Sequence, residues 1–555
     1  MVDARAAAAA AAAWAALLLG WAAAGQAAAP PDISCFDCAW LEELPLDEWS
    51  AERNSTREVL PWGQVVEFPP IDYRRLAEEL CECVQDSLEG SYGSHQPPNH
   101  SVQAQGTQFV LHDEPFYFAG FNAAQALSWA ASNSSQLLDN LQSLFANAAE
   151  LGLRVGRVFA TANGIKVRPP FLDEFDRLQP ELEPLPWLTL QPAPGVLDEA
   201  VLEGLDYLLS LAASHGIKLV LTLADFHAVF GPSPAGIEPY IQWVIGSLNL
   251  TGYTVLDFYR DERVKLLYRH NLCHIANRAS SLTGVKYKDD PTIFSWDLVN
   301  EPRCPACPGA TRGAVLSAWA DEMSAFLSCV DPNHMIHVGS EGYFTETAPE
   351  YIAANPGSWA LCSGVDFVEL ALLPHIHYGA AHMYEEMRFQ GWIQAHFDAS
   401  SAVTGKPFVL EEFNKKWDER RRNQLFRLVQ ATFRAAWQQN ASSPAAGAMF
   451  WGATAGDTID WDGWQVRLDG GRSAPAPSER AEKLKAQMPP EQQQHSVLYQ
   501  LCQAVVKDIF APTFAGYSSN TTVSRAGSRH LSLPARALML MLPGIRGMQY
   551  QHRRW

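Results

Sequence analysis

From residue 105 onward, eight short apolar runs alternate with longer stretches of helical periodicity. The runs are PFYFAGFNA (115–123), LRVGRVFAT (153–161), IKLVLTLAD (217–225), TIFSWDLVNE (292–301), HMIHVGSEG (334–342), HIHYGAAHMY (375–384), KPFVLEEFN (406–414) and AAGAMFWGA (445–453). Stretches such as LDNLQSLFANAAELG and VLEGLDYLLSLAASHG read as amphipathic helices ended by glycine. Such alternation is the signature of βα units, and eight of them close a parallel barrel. A doubly wound open sheet would need a glycine-rich phosphate turn after its first strand, and none is present. The expected fold class is therefore α/β, a (β/α)8 barrel with a cysteine-bearing N-terminal extension.

The 555 residues exceed one bare barrel, and the excess lies at the ends. Residues 1–29 hold one arginine, an apolar run and an Ala-x-Ala stretch, which read as a signal peptide; an uncleaved anchor helix is the alternative. Residues 30–104 form an extension with four cysteines, 105–515 the catalytic barrel, and 516–555 a basic, disordered tail. Residues 472–494 read as a polar loop, and HSVLYQLCQAVVKDIF as a closing helix. Sequons at Asn54, Asn99, Asn133, Asn249, Asn440 and Asn520 agree with a secreted glycoprotein of the extracellular space or cell wall. In that compartment the ten cysteines read as disulfides rather than a zinc site, with pairing left open. A net charge of −20 opposes nucleic acid and anionic membranes and suits a neutral polymer. No stable membrane association is expected once the leader is removed. The 18 Trp and 16 Tyr serve core packing, and some suit the flat faces of sugar rings.

In a parallel barrel, reactive groups gather at the C-terminal strand ends. Polar or aromatic residues ending these runs are Asn122, Arg157, Asp225, Asn300, Glu301, Glu341, His382, Tyr384, Glu411, Glu412 and Trp451. They include several carboxylates and an arginine, without a histidine–cysteine metal set, so neither metal nor organic cofactor is expected. Paired carboxylates at one rim are what glycosidic cleavage needs: one holds a proton for the leaving oxygen, and the other attacks the anomeric carbon. Strand alternation puts Glu411 and Glu412 on opposite faces, so only one is expected at the site. Asp297, in mid-strand, reads as a satisfied barrel carboxylate.

The stretch YKDDPTIFSWDLVNEPRC, with Asn300-Glu301-Pro302 ending the fourth run, and Glu412-Phe413 ending the seventh resemble clan A glycoside hydrolases. With GTQFVLHDEPFYFAGFNA, GSEGYF, GVDFVE and the Trp451 run, residues 105–510 resemble glycoside hydrolase family 5 in its plant-type endo-β-1,4-mannanase branch. That resemblance implies Glu301 as acid/base and Glu412 as nucleophile. It implies Asn300 on the sugar 2-hydroxyl and Arg157 keeping the nucleophile ionised. It implies a His382-x-Tyr384 pair with Tyr384 bonded to the nucleophile, Trp451 as the floor of the cleavage subsite, and Glu341 in a supporting role. The implied activity is a monomeric, retaining endo-β-1,4-mannanase acting on mannan, glucomannan or galactomannan. A β-1,4-glucanase or mannan transglycosylase of the same clan is the alternative, and a non-catalytic cell-wall carbohydrate-binding protein is the alternative of another class. Two departures bear on sugar preference. The usual Arg-Thr-Trp-Ala appears as Arg157-Val158-Phe159-Ala160, and the usual Asn-Asn-Trp as Asp225-Phe226-His227. Asp225 or His227 either binds a sugar hydroxyl or settles a loop.

Overall fold

The computed structural model describes residues 38–52, 54–59, 65–89, 101–163, 189–227, 236–248, 254–305, 307–384, 389–416, 418–440, 442–456 and 463–469. Each of the eight apolar runs contains one strand: β1 (Phe118–Asn122), β2 (Val155–Phe159), β3 (Lys218–Thr222), β4 (Ile293–Asn300), β5 (Met335–Gly339), β6 (Gly379–Met383), β7 (Phe408–Phe413) and β8 (Ala445–Phe450). Their order is β5-β4-β3-β2-β1-β8-β7-β6, and every ladder is parallel. The ring closes between β5 and β6 through separate bonds rather than a ladder. His377 donates its backbone N–H to Ile336 O (2.9 Å), and Ile336 donates to His377 Nδ1 (2.9 Å). The strands are buried almost throughout, as parallel strands covered on both faces must be.

The N-terminal mouth is filled with apolar side chains. Phe118, Val155, Val220, Phe294, Met335, Tyr378, Val409 and Ala446 form one layer across the barrel. A ribbon of short strands (Gln103–Gln105, Gln108–Leu111, Glu114–Pro115) seals that layer. Its Phe109 inserts edge-on against Phe294 (5.1 Å) and Tyr378 (5.3 Å). With this end shut, polar chemistry is confined to the opposite mouth.

The helices expected from LDNLQSLFANAAELG and VLEGLDYLLSLAASHG are present. Labelling from the extension onward, α1 spans Tyr73–Glu89, α2 Ser135–Glu150, α3 Glu199–Ser214 and α4 Glu262–Ala276. Ser134 and Asp198 cap the N-termini of α2 and α3 by accepting backbone N–H bonds. Gly152 (φ 77°) and Gly216 (φ 66°) follow the C-termini of these helices in the left-handed conformation that glycine adopts without strain.

Among the described residues, the extension has an internal disulfide, Cys38–Cys81, and a second, Cys83–Cys273, that joins α1 to α4. The second fixes the extension to the barrel wall. Cys304 and Cys307 lie side by side beyond β4, with Cα atoms 5.3 Å apart. The leader, residues 472–494, the helix expected over 495–510 and the tail at 516–555 lie outside the described residues. No helix among the described residues is long and apolar enough to cross a membrane.

The Cys83–Cys273 bridge spans 190 residues of chain, so it removes much freedom from the unfolded state. The double variant Cys83→Ala/Cys273→Ala is expected to lose about 2–4 kcal/mol in denaturant unfolding. An unchanged midpoint would mean that packing alone holds the extension.

Candidate active site

The polar layer above the apolar floor is organised by Arg157, which β2 points into the barrel with no exposed surface. Its Nη1 donates to Glu412 Oε1 (2.6 Å) and to Asn122 Oδ1 (3.2 Å). Nη2 donates to Asp297 Oδ2 (2.7 Å) and Asn300 Oδ1 (2.7 Å). Nε donates to Asp297 Oδ2 (3.2 Å) and lies 3.6 Å from Glu411 Oε1. Asp297 also accepts from Thr222 (2.8 Å) and the backbone N–H of Gly339 (2.7 Å), so it is the satisfied barrel carboxylate expected. The close packing here explains Gly339: a Cβ would sit 2.6 Å from Asp297 Oδ2 and 2.7 Å from Arg157 Nη2.

β7 departs from simple alternation. Its register with β6 runs Leu410↔Ala381 and then Glu412↔His382, which leaves Glu411 as the extra residue of a bulge. Both Glu411 and Glu412 therefore reach the Arg157 layer, and the expectation that only one could is corrected. They sit at different depths. Glu411 is fully buried and pairs with His337 (2.7 Å), while Glu412 keeps slight exposure toward the mouth. The hydroxyl of Tyr384 donates to Glu412 Oε2 at 2.5 Å.

Glu301 follows β4 in a left-handed conformation (φ 44°), with its backbone N–H held by Gly339 O (2.7 Å). Its Oε1 meets His382 Nδ1 and its Oε2 meets His227 Nε2, each at 2.7 Å. A carboxylate oxygen of Glu301 and one of Glu412 lie within 4.8 Å of each other, with His382 Nδ1 between them. Asn300 bridges inward to Arg157 and donates outward to Asp225 Oδ1 (2.9 Å). Glu341 is held by Arg303 and by the Tyr343 hydroxyl (2.7 Å), away from the pair. Trp451 stands half-buried after β8, edge-on to Phe159 at 6.2 Å. Trp464, which belongs to none of the eight apolar runs, packs edge-on to Tyr384 at 5.0 Å.

Burial and charge act against each other in this mouth. Burial pulls the His382 imidazole down, but Glu412, Glu301 and Glu411 outweigh it and raise it to about 10, so it is an imidazolium. Burial raises Glu301, yet its bonds to His227 and His382 hold it well below the usual carboxylate range. Glu411 is likewise raised by burial but held low by Arg157, His337 and His382. Glu412 is displaced upward: burial dominates, Glu301 adds to it, and His382, Arg157 and Tyr384 oppose it. The expected depression of Glu412 by Arg157 exists but is overridden by desolvation. Asp225 is raised to about 6, chiefly by burial.

Among the described residues, two clusters offer ligand atoms close enough for a metal: Asp297/His337/Glu411 and Glu301/His382/Glu412. Arg157 bonds to Asp297 and Glu412 and approaches Glu411, so a fixed cation already stands where a metal would gain its charge. Neither donor set fits a resident metal.

A parallel eight-stranded barrel with carboxylates from its fourth and seventh strands meeting at one mouth defines a glycoside hydrolase architecture. The GH family 5 beta-mannosidase-like family model matches residues 99–455, and the chain belongs to that family. It is 29% identical over 408 residues to mannan endo-1,4-beta-mannosidase 1 of Arabidopsis thaliana, covering 69% of this chain and 90% of that protein. To mannan endo-1,4-beta-mannosidase 1 of Oryza sativa subsp. japonica it is 31% identical over 368 residues, covering 63% and 77%. Its fold matches the crystal structure of the endo-1,4-beta-mannanase from Rhizomucor miehei with TM-score 0.51 and 27% identity, over 70% of this chain and 99% of the other.

Removing Arg157 leaves buried carboxylates without their counter-charge. Arg157→Met is expected to lose about 3–5 kcal/mol of stability, read by denaturant unfolding. A loss under about 1 kcal/mol would show that the guanidinium does not organise this layer.

Proposed function

We propose that the chain is a retaining endo-β-1,4-mannanase in which Glu412 is the nucleophile and Glu301 the acid/base. The convergence of these two carboxylates, with oxygens within 4.8 Å, carries the reading. Double displacement needs carboxyl groups about 5–5.5 Å apart, whereas inversion needs about 6.5–9.5 Å to admit a water. Mannan as substrate is supported by the mannanases to which the chain is similar.

In the first half-reaction Glu412 attacks the anomeric carbon while Glu301 protonates the leaving oxygen. In the second, Glu301 takes a proton from water, which displaces the sugar from Glu412. Arg157 and the Tyr384 hydroxyl each hold one oxygen of Glu412, which fixes the direction of attack. His382 bonds Glu301 and orients it toward the same sugar. Asn300 is assigned to the 2-hydroxyl, Asp225 to a neighbouring hydroxyl, and Trp451 to the apolar face of the ring.

The domain plan follows the same reading: a leader at 1–29, the extension at 30–104, the catalytic barrel at 105–515 and a tail at 516–555. The disulfides and the exposed sequon residues Asn54, Asn133 and Asn440 favour a secreted glycoprotein. Its proposed partner is a β-1,4-mannan-type polysaccharide, met as a monomer outside the cell or in its wall.

Glu301→Gln and Glu412→Gln are each expected to lose mannan hydrolysis by about 10³-fold or more while keeping the wild-type unfolding midpoint. Near-normal turnover in either variant removes that residue from its role. Product analysis on mannan, glucomannan and carboxymethylcellulose tests the substrate. Internal cleavage of the first two is expected; turnover on the last alone would make the enzyme a glucanase, and products longer than the donor would make it a transglycosylase.

A further inference from the structure

Glu301 presents both carboxylate oxygens to imidazoles, Oε1 to His382 and Oε2 to His227. A general acid needs a proton that it can give away and replace at every turnover. The two histidines are unequal sources of that proton. His382 has carboxylates at both ring nitrogens: Glu301 and Glu412 at Nδ1, and Glu411 at Nε2. Its side chain is only 1% exposed, so it holds its protons firmly and away from solvent. The His227 side chain is 26% exposed and stands at the mouth, with Nε2 aimed at Glu301. Its backbone N–H is tied to Asp225 Oδ1 (3.1 Å), and the same oxygen accepts from Asn300 Nδ2. The loop is thereby fixed where the ring reaches Oε2.

We infer that His227 is the residue that supplies and recovers the proton of Glu301, acting through the 2.7 Å Nε2···Oε2 contact. The inference rests on the reading of Glu301 as the acid/base. It gives a purpose to the Asp225-Phe226-His227 departure, in which Asp225 Oδ1 places the loop, leaving Oδ2 for the sugar hydroxyl, and His227 serves the acid. Glu301 from the end of β4 and Asp225 from its own loop favour the imidazolium; Arg303, beyond β4, opposes it. His382, at the end of β6, faces it across Glu301.

Before a sugar binds, the proton favours His227 over Glu301, since each holds the other's charged form. A sugar that excludes water removes the solvation of this ion pair and favours its neutral form. The Nε2–H bond then breaks as Oε2–H forms, and the bonding electrons remain on Nε2. Glu301 passes the proton to the glycosidic oxygen, which also takes the electrons of the breaking carbon–oxygen bond. In the second half-reaction Glu301 takes a proton from water and returns it to Nε2, so the cycle closes without net gain.

The pair keeps its mobile proton until pH rises through the histidine value, which lies above the ordinary one because Glu301 and Asp225 outweigh burial. Without His227 the proton belongs to Glu301 alone and leaves at lower pH. In His227→Gln and His227→Phe, the basic limb of kcat/KM on mannan should move down by about one pH unit or more. The ratio of mannan turnover to dinitrophenyl β-mannobioside turnover should fall about tenfold, because dinitrophenolate leaves without a proton. An unchanged limb, or equal losses on both substrates, overturns the inference. Glu301→Ala is the separate arm. Azide rescue of its dinitrophenyl turnover, with mannan turnover lost, supports the acid/base reading; ordinary mannan turnover would defeat that reading, whatever the His227 variants do.

Discussion

Arg157 carries its charge where no water reaches, with Asp297, Glu411 and Glu412 as its counter-charges. An isolated ion in that position would be untenable, and so would the carboxylates without it. The guanidinium is planar and rigid, so satisfying it also fixes Asp297 on β4, Asn122 on β1 and Glu412 on β7 relative to β2. Strands distant in sequence are thus held to one geometry by one side chain. The positions of the paired carboxylates follow from that.

The barrel is stratified around this layer. Below it the apolar floor and the inserted Phe109 close one mouth, so water and substrate approach from the other side. Above it stand Glu301, His227, Tyr384 and Trp451 at the strand ends. The bulge in β7 joins the strata, because it lets adjacent glutamates serve different depths. Glu411 stays below to hold His337 and His382, and Glu412 meets the mouth. His382 connects the two levels, since its ring nitrogens face carboxylates in both. Proton content is therefore a property of the cluster rather than of any one residue.

Much of this arrangement is legible in the amino-acid sequence, for identifiable reasons. The eight strands show as apolar runs because parallel strands are buried on both faces. Glu301, Glu412, Asn300 and His382 show because they stand at or near the ends of such runs, and Arg157 shows as a cation inside one. The role of Glu411 was hidden, because a bulge leaves no mark in the pattern of residue types and strict alternation gave the wrong geometry. His337 lies inside an apolar run, where a polar residue among aliphatics was the available signal. The sealing ribbon at 103–115 (QAQGTQFVLHDEP) is mostly polar in sequence, and only its packing shows that it closes the barrel. The Glu301–His227 contact joins the loops after β3 and β4, 74 residues apart, which spacing alone does not reveal.

The most direct measurement is covalent capture. A slow fluoro-substituted β-mannoside should arrest the enzyme as its glycosyl intermediate, and peptide mass spectrometry would locate the sugar. The geometry requires the label on Glu412, the glutamate between Arg157 and Tyr384. A label on Glu411 or Glu301, or hydrolysis that inverts the anomeric centre without any adduct, would contradict it.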